Sequence, residues 1–298
     1  MTQANITLPE AAPTGLPGQL GETRLGPTVF RWGSRTFLMG ILNVTPDSFS
    51  GDGLLATREP VAAAVELAGA MIEAGADVLD IGGESTRPGH DPVAEADELA
   101  RVVPVIAAVR ASFPGIPLSV DTTKASVARA ALDAGANCIN DIWGVADDDA
   151  LIRVAAESGV PIVLMHNRAE ARYATLMAEI VADLQQAIER ALRAGVAWES
   201  ILVDPGFGFG KTAEHNLALL RDLAGLRLLG RPIMLGTSRK STLGKVLDLP
   251  ADQRVEATLA TTVLGIAAGV DMVRVHDVRA NARAARMTDA VVRGGAGR

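Results

Sequence analysis

From Arg35 onward the chain alternates two patterns. Short apolar runs of strand length give way to longer Ala-rich stretches with apolar positions at helical spacing, and the alternation repeats almost to the end. The runs predict strands at Phe37–Val44, Val78–Ile81, Leu118–Asp121, Cys138–Ile142, Ile162–His166, Ile201–Asp204, Ile233–Gly236 and Met272–His276. Helices are predicted to follow them at 60–74, 92–111, 124–134, 147–158, 175–194, 213–223, 254–268 and 279–292. Gly75, Gly135, Gly195 and Gly269 each sit just past a helix, where a left-handed cap turns the chain toward the next strand. The first three are 60 residues apart, the length of two β-α steps. Eight such steps predict an α/β fold, a single (β/α)8 TIM barrel. A doubly wound sheet is the rival and would rarely need eight consecutive units. Pro13, Pro17 and Pro27 break any helix near the start, so residues 1–28 read as a loose arm. The predicted organisation is an arm and first short segment over 1–34 and a barrel over 35–298.

Composition narrows the functions open to such a barrel. With 298 residues, 48% hydrophobic and 21% charged, the chain buries a sizeable core and is not disordered. No apolar stretch reaches membrane-spanning length, so no membrane role is expected. No signal peptide is evident in residues 1–30, and the single cysteine, Cys138, has no partner for an internal disulfide; a cytoplasmic location is expected. The net charge of -7 and the 3% aromatic content argue against nucleic acid, which needs a basic face or stacking platforms. A small anionic ligand stays open, because a local cluster of Arg and Lys can hold phosphate inside an acidic protein.

Chemistry in such a barrel belongs at the carboxyl ends of the strands, and every predicted strand ends in polar residues. In chain order these are Asn43; Glu84 with Thr86, Arg87 and Pro88; Asp121; Asn140; Met165 with His166; Asp204 with a glycine-rich loop to Gly210; Arg239 with Lys240 and Ser241; and Arg274 with His276. Each has an ordinary explanation. Asp121 and Asn140 suit helix caps, Asp204 suits a turn, and His166 or His276 suits a satisfied structural histidine. Their coincidence is harder to explain, since capping requires neither Lys240 after Arg239 nor Arg274 at a strand end. Arg87, Arg239, Lys240, Arg274 and His276 form a cationic set; Asp121, Asn140 and Asp204 form an acceptor set. Together they suit a ligand with an N–H-bearing heterocycle at one end and oxyanions at the other.

Eight segments then carry a resemblance: GILNVTPDSFS at 40–50, DIGGESTRPG at 80–89, SVDT at 119–122, NDIWG at 140–144, LMHN at 164–167, DPGFGFGK at 204–211, GTSRKS at 236–241 and RVHD at 274–277. In this order they resemble the dihydropteroate synthases over residues 35–290 or so. The resemblance implies a folate-pathway transferase that joins (7,8-dihydropterin-6-yl)methyl diphosphate to 4-aminobenzoate and releases pyrophosphate. It implies pterin contacts from Asp121, Asn140, Asp204 and Lys240, with Met165 and Phe209 also on the substrate. It further implies diphosphate contacts from Thr86, Arg274 and His276, and an aminobenzoate site at Arg87, Pro88 and Ser241. Asn43 is the implied ligand of a Mg2+ cofactor, and a homodimer is the implied assembly. The family often has an acid directly after the first-loop serine; here Ser50 is followed by Gly51 and Asp52, shifted by one place, and the resemblance implies that the glycines on both sides let Asp52 serve as that catalytic acid.

The chemistry fits those residues. The bond broken is CH2–O to diphosphate, beside an electron-rich reduced pterin, so ionisation ahead of attack by the weak aniline nitrogen is expected. Mg2+, Arg274 and His276 would stabilise the leaving group. Asp121 and Asp204 would favour positive charge on the pterin. Three rivals stand beside this reading: a Schiff-base aldolase using Lys240, a pterin-dependent methyltransferase, and an inactive pterin-binding paralogue.

Overall fold

The computed structural model describes residues 20–44, 60–84, 93–146 and 148–294. Two strands, β1 (Glu22–Leu25) and β2 (Thr28–Arg31), come first; eight more follow: β3 (Phe37–Asn43), β4 (Val78–Gly82), β5 (Leu118–Asp121), β6 (Cys138–Asp141), β7 (Ile162–Met165), β8 (Ile201–Asp204), β9 (Met234–Leu235) and β10 (Met272–Val275). The eight are parallel, in the order β8-β7-β6-β5-β4-β3-β10-β9. A further parallel bridge between Val203 and Ile233 joins β8 to β9 and closes the barrel. Helices α1 (Pro60–Glu73), α2 (Glu95–Ser112), α3 (Ala125–Asp133), α4 (Ala150–Ser158), α5 (Leu176–Ala194), α6 (Ala213–Arg221), α8 (Val255–Ala267) and α9 (Val278–Val292) alternate with the strands; a short α7 (Ser241–Leu247) is inserted after β9. The predicted elements therefore stand, with α7 added. Gly75, Gly135, Gly195 and Gly269 have φ of 104°, 115°, 100° and 98°, the left-handed caps read from the sequence.

Side chains alternate across each strand, which sorts the core into two parts. Leu79, Ile81, Leu118, Val120, Ile139, Leu164 and Val203 face the helices. Phe37, Met39, Val78, Cys138, Val163, Leu202, Met234 and Met272 fill the barrel at the amino ends of its strands. That end is sealed by a feature the sequence did not reveal. Instead of a loose arm up to residue 28, β1 and β2 form an antiparallel hairpin. It buries Leu25, Phe30 and Trp32 against the inner cluster, with the Phe30 and Phe37 rings 4.8 Å apart. Trp32 Nε1 donates to Thr23 Oγ1 at 2.8 Å, and Thr23 Oγ1 donates to the Glu199 carbonyl at 2.5 Å, fixing the hairpin to the barrel. With its lower half apolar and capped, the barrel keeps its inward polar residues toward the carboxyl ends of the strands.

Candidate active site

Two residues further along β4, β6, β8 and β10, the same inward positions turn polar. Asp80, Ser119, Asp121, Asn140 and Asp204 are buried, with Arg274 largely so. Arg274 links two strands: its Nε donates to Asp80 Oδ2 at 2.5 Å and its Nη2 to Asp121 Oδ2 at 2.6 Å. Asn140 Nδ2 donates to the same Asp80 oxygen at 3.0 Å. These bonds orient the remaining atoms. Asp80 Oδ1, Ser119 Oγ, Asp121 Oδ1 and Asn140 Oδ1 are buried with no hydrogen-bond partner among the described residues. A buried acceptor left unpaired costs about 1–3 kcal/mol, so a ligand presenting several N–H donors would be held strongly. Neither Asp121 nor Asn140 is a cap: α3 has Lys124 at its N-cap and α4 has Asp149.

Opposite this wall stands the glycine-rich loop. Asp204 Oδ1 accepts from Gly206 N at 2.7 Å, so Asp204 is both the turn residue and part of the ring. Gly206, Gly208 and Gly210 all have positive φ, and a Cβ at Gly206 would collide with the His166 carbonyl oxygen. The loop lays the Phe209 ring under Lys240 Nζ, 3.6 Å from its centroid. Lys211 fastens it from behind, donating to His166 Nδ1 at 2.9 Å and to the Gly206 and Phe209 carbonyls at 3.0 and 3.1 Å. Because the ammonium only donates, His166 Nδ1 accepts and its Nε2–H faces Asp183 Oδ2 at 3.2 Å. Burial, helped by the charges of Lys211 and Arg168, pushes His166 down to about 3, so it is a neutral, satisfied structural histidine. Burial also pushes Lys211 down to about 7.

The ring itself is electrostatically tense. Burial raises Asp121 to about 7 against the pull of Arg274, and it raises Asp204 as well. Burial and the neighbouring Arg274 lower Lys240 to about 7. Charges held out of water in this way are usual where a site must respond to a charged ligand.

At the rim, Ser238 Oγ lies 2.9 Å from His276 Nδ1. The next residue, Arg239, has φ 58°, a left-handed conformation costing a non-glycine residue about 1–3 kcal/mol. Its guanidinium makes two bonds to the Asp277 carboxylate, at 3.1 and 2.7 Å, so Arg239 is not one of the ligand-facing cations the sequence suggested. It instead braces the turn that delivers Lys240, and its carbonyl accepts from Arg254 Nη1 at 2.9 Å. Met165 is buried at the end of β7, Asn43 closes β3 beside Gly82, and Ser241 is exposed at the start of α7. Asp52, Thr86, Arg87 and Pro88 lie outside the described residues.

The strand-end pattern assigns no role to Asp80, Lys211 or Ser238. Asp80 carried a usable signal, since a carboxylate inside the apolar run Val78–Gly82 must find a buried partner.

A parallel barrel whose mouth joins three carboxylates, an asparagine, a buried arginine and a lysine defines an enzyme of the pterin-binding kind. The pattern of the pterin binding enzyme family matches residues 39–276, and the chain belongs to that family. Its relatives are dihydropteroate synthases. That of Clostridium beijerinckii is 51% identical over 271 residues, covering 91% of this chain and 99% of its own. The Xanthomonas albilineans dihydropteroate synthase solved with 4-aminobenzoic acid is 42% identical with a TM-score of 0.85, covering 91% of this chain and 97% of that one. The same enzyme in complex with 7,8-dihydropteroate gives 39% identity and a TM-score of 0.82, over 91% and 98% of the two chains.

Proposed function

We infer that this chain is a dihydropteroate synthase, joining (7,8-dihydropterin-6-yl)methyl diphosphate to 4-aminobenzoate to give 7,8-dihydropteroate and pyrophosphate. The observation that carries the reading is the buried acceptor set, in which Asp121 Oδ1 and Asn140 Oδ1 await donors across the barrel from Asp204. A pterin's amino and ring N–H groups supply such donors, and the relative solved with 4-aminobenzoic acid carries one substrate of the reaction while that solved with 7,8-dihydropteroate carries its product.

Asp121, Asn140, Asp204 and Lys240 bind the pterin, with Met165 beneath it and Phe209 at its edge. Arg274, His276 and Thr86 contact the leaving diphosphate; Arg87, Pro88 and Ser241 form the aminobenzoate site, and Asp52 is a further catalytic residue. Mg2+ is the proposed cofactor. Among the described residues no group of three or more His, Cys, Asp or Glu could hold a metal, and Asn43 offers one neutral oxygen. That donor fits a cation arriving with its diphosphate, which supplies the missing charge. When bound, Mg2+ would neutralise the departing oxygens.

The assembly we propose is a homodimer. Val246 and Leu247 on α7, Leu264 on α8, and Met287 and Val291 on α9 are exposed apolar residues on successive helices, a supply of apolar surface that the sequence pattern did not single out. No described helix is long and apolar enough to cross a membrane. We place the enzyme in the cytoplasm, where the buried Cys138 would stay a thiol.

The test is pyrophosphate release from the pterin diphosphate with and without 4-aminobenzoate. Release driven by 4-aminobenzoate is expected; none with both substrates and Mg2+ present would overturn the reading.

A further inference from the structure

Asp80 lies in the middle of β4, wholly buried, one layer below the residues assigned to the pterin. Its Oδ2 takes both Arg274 Nε and Asn140 Nδ2. It thereby fixes the Asn140 amide with its oxygen left over as an acceptor, and it holds Arg274 jointly with Asp121.

The consequence is one of charge. The inward-facing charged residues of the described strands are Asp80, Asp121, Asp204 and Arg274, and the turn after β9 adds Lys240. Without Asp80, Arg274 and Lys240 would match Asp121 and Asp204 one for one. With it the five groups, all ionised, carry one negative charge in excess. A neutral pterin gains little from that surplus. A pterin carrying positive charge gains much, because the ring is buried and its dipoles are already fixed.

We propose that Asp80 is a positioning residue of the condensation: by sharing the Arg274 guanidinium with Asp121 it adds a carboxylate's charge to the ring beneath the pterin, and the ring so formed stabilises the cation made when the CH2–O bond breaks. This rests on the synthase reading. In that step the C–O bonding pair leaves with diphosphate, and the methylene carbon becomes a cation delocalised into the pterin. The aniline nitrogen's lone pair then forms the C–N bond, and the extra proton on nitrogen passes to solvent. An interaction realised only at the cation raises kcat and leaves KM nearly unchanged.

The first measurement uses the unaltered protein. At pH 7, calorimetry compares neutral 6-hydroxymethylpterin with 6-aminomethylpterin, whose ammonium stands in for the charge near the reacting carbon. The cationic ligand should bind about tenfold tighter or more, as expected of a preorganised electrostatic site. The second uses Asp80→Asn, which keeps an acceptor for Arg274 and Asn140 but loses the charge. Its kcat should fall about tenfold to a hundredfold, KM for either substrate should hold, and the cation preference should vanish. Adding Ser119→Asp returns a carboxylate at the neighbouring position on β5, where Ser119 pairs with Asp80 and is itself buried, and should recover most of the lost kcat. An unchanged kcat, a loss confined to KM, or equal affinity for the two pterins would overturn the proposal. If neither pterin binds, the synthase reading falls and takes this proposal with it; binding of the neutral pterin without preference overturns this proposal alone. Should Asp80→Asn not fold, the preference of the unaltered protein decides.

Discussion

Replacing Asp204 with asparagine changes one atom in the pterin site and tests its acceptor logic. Asp204 is 3% exposed, and one carboxylate oxygen is already bound to Gly206 N at 2.7 Å. The substituted amide must therefore keep its oxygen on Gly206, because turning its NH2 there would set donor against donor. The atom left for the ligand becomes a donor where the pterin also donates. A buried mispaired group of this kind costs about 1–3 kcal/mol, which at about 1.4 kcal/mol per tenfold is roughly 5- to 150-fold in Kd. Stability should move the other way. Burial raises the Asp204 carboxyl, so ionising it in the folded state opposes folding as pH rises above its unfolded value; the neutral amide removes that cost. The assay is calorimetric titration of Asp204→Asn with 6-hydroxymethylpterin, beside its melting temperature. Weaker binding with an unchanged or higher melting temperature is expected. Unchanged pterin affinity would remove Asp204 from the site.

Three further outcomes are expected. Asp121 must be ionised to accept and Lys240 protonated to donate, and both are displaced to about 7, so kcat/KM for the pterin diphosphate should be bell-shaped near pH 7. Asp121→Asn should flatten the acid limb and Lys240→Met the alkaline limb; limbs that both variants leave in place would contradict the assignment. Mg2+ should bind weakly to the protein alone and tightly with pyrophosphate, and equal affinities by calorimetry would exclude the role given to Asn43. Phe30→Ala, cut from a fully buried ring in the hairpin, should cost about 3–5 kcal/mol in urea unfolding while leaving kcat intact at temperatures below melting; a cost under about 1 kcal/mol would show that the hairpin is not part of the core.

The barrel was legible because its signals are local. Apolar runs such as Ile162–Met165 are buried throughout, and glycines such as Gly195 mark helix ends by a backbone requirement that only a few residues satisfy. The hairpin was not legible: β1 and β2 are four residues each, and their burial depends on Phe37, Met234 and Met272 at distant points in the chain. Helix α7 is seven residues with Gly244 at its centre, too short to show a period. Within the site, the strand-end rule located Asp121, Asn140, Asp204 and Arg274 because it depends only on where a strand stops. It could not say which charge meets which. The bond from Arg274 to Asp80 spans 194 residues, and Arg239 was counted as a ligand-facing cation because its partner Asp277 lies 38 residues on. Neither pairing leaves a periodic trace.

The most direct measurement is product formation by the purified protein. Supplied with (7,8-dihydropterin-6-yl)methyl diphosphate, 4-aminobenzoate and Mg2+, it should form 7,8-dihydropteroate and pyrophosphate in equal amounts, followed together by mass spectrometry and a coupled phosphate assay. Pyrophosphate without dihydropteroate, or neither product at substrate concentrations that saturate the pterin site, would contradict the account.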